Sequence, residues 1–191
     1  MWLSAAQNQW PHHIIFLSMK KFYLKKDELN KLNQFDFTNQ PNLEISRDIF
    51  MLQSETGMRF CDVLALTSAN VIGGAIQYVE RKTNKVIHVP LTSSAREIVE
   101  RYICNDKSVL FPSLSVAKYN QTIKEMLRLA GINRVVTVKN HEAGVEESLP
   151  IYEVANSHMA RRTFVGLACR PKKEDGSLVV SDYDFCNSIL G

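Results

Sequence analysis

The chain has 191 residues, 45% hydrophobic and 23% charged, an ordinary globular balance with enough length for one good core. Its net charge of +3 permits nucleic-acid binding without arguing for it. The four cysteines, Cys61, Cys104, Cys169 and Cys186, form no C-x-x-C pair, which argues against a disulfide framework and a zinc site and suits a reducing cytoplasm.

Residues 1–21 show no clear period and read as a linker or remnant. Their apolar run "HIIFLSM" is too short to cross a membrane, and its lysines follow it, unlike a signal peptide. His12 and His13 lack Cys or acidic partners at metal-ligand spacing. A helix is expected over "LKKDELNKLNQF", with Asp27 as its N-cap. Pro41 suits the first turn of a second helix, which runs through "NLEISRDIFMLQSE" to a C′ glycine, Gly57. Leu43, Phe50 and Leu52 are its core positions. Two β-rich runs, 75–81 and 85–89, flank the polar turn Lys82, Thr83, Asn84 and predict a hairpin. "TSSAREIVERYI" reads as an amphipathic helix with Ile98, Val99 and Ile103 inward, and "SVAKYNQTIKEMLRLAG" as another, ending at Gly131. "INRVVTVKN" reads as a short strand and "HEAGVEESLP" as a loop. "NSHMARRTFVGLACR" reads as a helix capped by Ser157. Beyond the breaker "PKKEDGSL", "SDYDFCNSIL" reads as a last helix. The class is mainly α with a small antiparallel hairpin or sheet, an α+β fold with one main domain over 22–191.

The segment "ETGMRFCDVLAL", residues 55–66, poses a question. Thr56 and Gly57 read as a turn, and Met58 opens a short helix that is apolar nearly all the way round, hence buried. Arg59 falls in its first turn, where a cation opposes the helix dipole. An unpaired guanidinium is also costly to bury.

A second arginine helix follows later. On a wheel of "SHMARRTFVGLA", Ala160, Phe164, Leu167 and Ala168 form the core stripe, and His158, Arg161 and Arg162 lie opposite. His158 and Arg161 are neighbours at i and i+3. A helix start bearing His and Arg can receive a phosphate; the same pattern also describes a solvated basic face.

Taken in order, T-G-x-R at 56–59, a hairpin with Lys82 at its turn and H-x-x-R at 158–161 resemble the catalytic domain of the tyrosine recombinases, or phage integrases. "TGMRFCDVLAL" is similar to the family's first arginine motif and "ERKTNKVIHVPL" to its hairpin, including the closing Pro-Leu. "LFPS" is similar to an apolar run before a helix, and "SHMARRTF" to the second box. The resemblance implies that Arg59 and Arg161 grip non-bridging oxygens of a scissile DNA phosphate and stabilise its transition state. His158 would hydrogen-bond that phosphate and assist proton transfer. Lys82, followed by Thr83 as the family's lysine often is, would protonate the departing 5′ oxygen, with Lys85 the alternative at the same turn. Asp62, one turn beyond Arg59, would hold that guanidinium in place. Arg162 and Lys85 would contact DNA. Arg59 would then be a buried cation partly balanced by Asp62, with a phosphate as its missing partner; the alternative is a buried Arg59–Asp62 pair with no ligand.

The resemblance further implies double-stranded DNA as partner, self-association on DNA, no metal or small-molecule cofactor and no membrane. It implies a bacterial cytoplasm, with nucleoid association when bound. The family's last two residues, a His or Trp after a Leu-Gly step and the nucleophilic Tyr, would fall beyond "SILG". The domain is therefore expected to be C-terminally incomplete, and the family's N-terminal core-binding domain to be absent. Tyr183 precedes the Leu-Gly step and reads as packing or surface. Two functions are expected from this: site-specific DNA recombination or integration, or a non-catalytic DNA-binding remnant of a mobile-element integrase.

Overall fold

The computed structural model describes residues 22–82, 84–103, 109–139 and 144–168. The segments 1–21 and 169–191, with the expected last helix and Tyr183, lie outside the described residues, as does Thr83.

The second helix is the axis of the molecule. α1 spans Lys26–Gln34 and α2 spans Pro41–Thr56. α2 buries Leu43, Ile49, Phe50, Met51 and Leu52 and polar Ser46, Asp48 and Gln53 as well, so it is enclosed nearly all round. Pro41 stands in its first turn, and Gly57 closes it at φ 70°, a left-handed turn that only glycine adopts without cost. The short α3, Phe60–Val63, follows at once. Next come β1 (Val71–Ile72), β2 (Ala75–Val79) and β3 (Val86–Pro90), an antiparallel sheet in the order β1-β2-β3. Tyr78 faces Ile87 and Val79 faces Val86 across the hairpin. β1 was not foreseen as a separate strand; Gly73 and Gly74, both at positive φ, turn it onto β2.

α4 spans Ser93–Tyr102, capped by the Thr92 hydroxyl, and α5 spans Val116–Leu129, capped by Ser115. β4 (Val135–Lys139) pairs antiparallel with β5 (Glu146–Pro150), and α6 spans Ser157–Ala168. α2 packs on α6, α5, α4, α3 and α1. Where it meets α4, the buried Asp48 carboxylate takes Arg47 at 3.0 Å, Arg101 at 3.2 Å and the Tyr102 hydroxyl at 2.9 Å. No helix among the described residues is long and apolar enough to cross a membrane.

Several local expectations are corrected. Lys25, not Asp27, occupies the N-cap of α1, and Glu28 reaches back to its N–H at 2.8 Å. Ile103 is partly exposed because α4 ends before it. Part of the expected loop "HEAGVEESLP" is β5: its weak alternation hides a strand that in-register pairing with β4 supplies. Asn156, not Ser157, precedes α6; its Oδ1 accepts the His158 N–H at 3.0 Å.

Candidate functional site

The residues between α2 and α3 place the first arginine. Thr56 returns its hydroxyl to the Leu52 carbonyl at 2.6 Å, and Gln53 donates to the Met58 carbonyl at 3.1 Å. Met58 is fully buried. Phe60 stacks on Tyr119 with ring centroids 4.3 Å apart. The turn is thus held from α2 and α5 together. Arg59 sits at the N-cap of α3 with extended backbone, ψ 149°. It therefore precedes the helix rather than lying in its first turn, and α3, with only four residues, has little dipole for its charge to oppose.

The second arginine comes from α6. Its buried face includes Met159, Ala160, Thr163 and Phe164, and Arg161 as well, 8% exposed. Arg161 is thus not on a solvated face as the helical wheel suggested. A wheel built from apolar residues ranks arginine outward, whereas here the guanidinium meets a buried carboxylate.

That carboxylate is Glu80. It follows β2, is 2% exposed and forms an ion pair through Oε1 with Arg59 Nη1. The same oxygen lies 3.8 Å from Arg161 Nη1. Both guanidiniums, one from the α2–α3 turn and one from α6, converge on one buried anionic oxygen. Asp62 plays a different part from the expected one. Its Oδ1 accepts the backbone N–H of Arg81 at 3.3 Å, tying α3 to the hairpin, and its buried Oδ2 has no hydrogen-bond partner among the described residues. The carboxylate paired with Arg59 is Glu80, not Asp62.

His158 lies within the field of this cluster. Desolvation lowers its pKa below the ordinary histidine value, and the charges of Arg162, Arg161 and Arg59 add to that. The imidazole is therefore biased toward its neutral form. Desolvation and then Arg59 lower the Arg161 pKa, and desolvation lowers that of Arg162; both stay cationic at neutral pH. Tyr78, buried on β2, also feels Arg161 and Arg59; burial first and Asp62 second push its pKa up to about 12.

Lys82 and Lys85 are exposed on the hairpin turn, and no ion pair joins either to another described residue. The structure thus brings Arg59 and Arg161 together, places exposed His158 three residues before Arg161 on α6, and leaves both lysines exposed on the hairpin turn. Glu80 and Tyr78 were not foreseen as part of the site. A signal existed: Ile76, Tyr78 and Glu80 alternate on one side of β2, so a carboxylate falls on the face that the apolar pattern turns inward.

A sequence model described as the phage integrase family matches residues 23–166. Among solved structures, the XerA recombinase is similar with a TM-score of 0.60 at 18% identity, covering 90% of this chain and 56% of that one. The lambda integrase catalytic core matches with a TM-score of 0.53 at 17% identity, over 90% of this chain and 91% of its own. The XerH site-specific recombinase, bound to difH substrate in a pre-cleavage complex, matches with a TM-score of 0.52 at 19% identity, over 77% of this chain and 43% of its own. The chain thus spans little more than half the length of XerA and nearly all of the lambda integrase core. No curated protein matches by sequence.

Proposed function

This chain belongs to the phage integrase family, and we propose that it binds a DNA backbone phosphate as part of a site-specific recombination site. The observation that carries this reading is the convergence of Arg59 and Arg161 on one buried anionic position, with the exposed His158 three residues before Arg161 on α6. Two planar guanidiniums at one point suit a phosphodiester, which offers two non-bridging oxygens and one negative charge. In cleavage, a bond forms between a nucleophilic hydroxyl oxygen and phosphorus, and the bond to the 5′ oxygen breaks. That oxygen takes a proton from Lys82 at the hairpin turn, or from Lys85. The arginines stabilise the charge gathering on the phosphorane oxygens, and neutral His158 is able to accept the proton that the attacking hydroxyl gives up.

Tyr78 does not fit the nucleophile's role: it is buried within the hairpin's inward face. The proposal assigns the attack not to Tyr183 but to the family's nucleophilic tyrosine, expected after "SILG". Double-stranded DNA is the proposed partner, with self-association on it, and Arg162 is proposed to contact a flanking phosphate.

The test is binding of a short, fluorescein-labelled, mixed-sequence duplex by the full chain, followed by anisotropy. R59Q and R161Q should each weaken binding by roughly tenfold or more, as expected when a charge-assisted hydrogen bond is lost. Affinities equal to the parent's in both variants would remove the phosphate reading.

A further inference from the structure

The arginine pair is not empty-handed. The position at which both guanidiniums converge is held by a side chain of the protein itself. Glu80 Oε1 pairs with Arg59 Nη1 and lies 3.8 Å from Arg161 Nη1. A phosphodiester and a carboxylate present the same thing to a guanidinium: an anionic oxygen that attracts its charge. They therefore compete for the same donors.

We propose that Glu80 is the internal counter-ion of this site: a positioning residue that holds Arg59 and Arg161 together while no DNA is bound and yields their Nη1 donors to the incoming phosphate. The inference rests on the phosphate reading of the arginine pair.

Three features support it. Burial makes the pairing necessary, since Arg161 is 8% exposed and two unpaired guanidiniums that close would repel. The Glu80 backbone is fixed independently of its side chain. Its N–H donates to the Lys85 carbonyl at 2.9 Å, and its own carbonyl accepts the Asn84 N–H at 2.8 Å. Yielding the arginines thus needs a side-chain rotation, not an opening of the hairpin that carries Lys82. Finally, Asp62, the other buried carboxylate of the cluster, holds the Arg81 backbone, which leaves Glu80 as the carboxylate placed to compete.

The consequence has a definite sign. A counter-ion stabilises the empty site and opposes the ligand. Glu80→Gln keeps the shape and an acceptor oxygen but removes the charge. It should melt at a lower temperature than the parent and yet bind the labelled duplex about tenfold tighter at low salt. A residue with only a structural role would lower the melting temperature without tightening binding. Inorganic phosphate provides a second probe: its stabilisation of the fold in thermal melts should be larger for E80Q than for the parent.

The arms separate the two ideas. If R59Q and R161Q weaken binding while E80Q leaves it unchanged or weaker, the counter-ion proposal is overturned and the phosphate reading stands. If the arginine variants also leave binding unchanged, both fall. Should E80Q fail to fold, the comparison moves to the R161Q background, where one cation fewer needs balancing. There E80Q/R161Q should bind tighter than R161Q, and equal or weaker binding overturns the proposal.

Discussion

The Tyr119 hydroxyl donates to Gln53 Oε1 at 2.8 Å. Both residues are buried, one on α5 and one on α2, and Gln53 Nε2 continues the chain to the Met58 carbonyl. This link spans the helix pair and ends one residue before Arg59, so the position of a site residue is fixed by a buried hydrogen-bond relay. Burial raises the Tyr119 pKa well above the ordinary value, which keeps the hydroxyl a donor.

Tyr119→Phe leaves Gln53 Oε1 buried without its donor. The expected cost is about 1–3 kcal/mol of stability, the usual penalty for an orphaned buried polar group. Chemical denaturation measures it, and a variant as stable as the parent would show that the relay contributes nothing.

Gly57→Ala places a side chain at φ 70°. The left-handed conformation costs a non-glycine residue roughly 1–2 kcal/mol, and the turn it distorts carries Arg59. A lower melting temperature and weaker duplex binding should appear together. Loss of stability alone, with binding intact once the variant is folded, would mean that Arg59 is held from α3 rather than from the turn.

Arg161→Ala should cost stability as well as binding, because the side chain is buried beside Glu80. A loss of about 1–3 kcal/mol is expected. Arg162→Ala, at the half-buried neighbouring position, should cost less than half as much. Equal losses at the two positions would contradict the burial difference between them.

Gly166 tests how the start of the described chain docks. A Cβ there would meet the Tyr23 ring at 2.8 Å, and the neighbouring Leu24 N–H donates to the Thr163 hydroxyl at 3.0 Å. Gly166→Ala should destabilise by roughly 1–3 kcal/mol through overpacking. Tyr23→Ala in the same chain should recover part of that loss, and no recovery would place the clash elsewhere.

His158 makes the site pH-sensitive. Its pKa is lowered in the folded chain, so the unfolded state binds the proton more readily. Stability should be flat above the ordinary histidine range and fall as pH drops through that range toward the lowered value. An anion at the arginine pair opposes the shift and raises the pKa again. DNA binding should then take up a proton, and affinity should rise as pH falls across the same window. An NMR titration of the imidazole with and without duplex decides this: a bound-state pKa no higher than the free one would contradict it.

Salt gives the last check. Phosphate contacts release counter-ions, so the duplex affinity should fall steeply between low and moderate salt. The R161Q variant should show a shallower slope, and an affinity flat with salt would speak against contact with the DNA backbone.

The sequence by itself determined the local order of this protein. Pro41 and Gly57 mark the ends of α2, Thr92 and Ser115 cap α4 and α5, and the alternation on either side of Lys82 makes a hairpin. Each of these follows from backbone preferences within a few residues, as does the order of the arginine and histidine motifs. What only the tertiary structure decided is the electrostatic partnership. The resemblance pointed Arg59 to Asp62, one turn beyond it, but such neighbours meet only where both residues have helical backbone. Arg59 is extended at the N-cap, and its guanidinium reaches Glu80 on the hairpin instead. Arg161 looked solvent-facing because the apolar stripe of its helix lies opposite it; the fold brings it a carboxylate from the residue after a strand far away in sequence. A buried charge is acceptable only where another element supplies its counter-charge. That supply depends on how α2, α6 and the hairpin pack, which no local pattern contains.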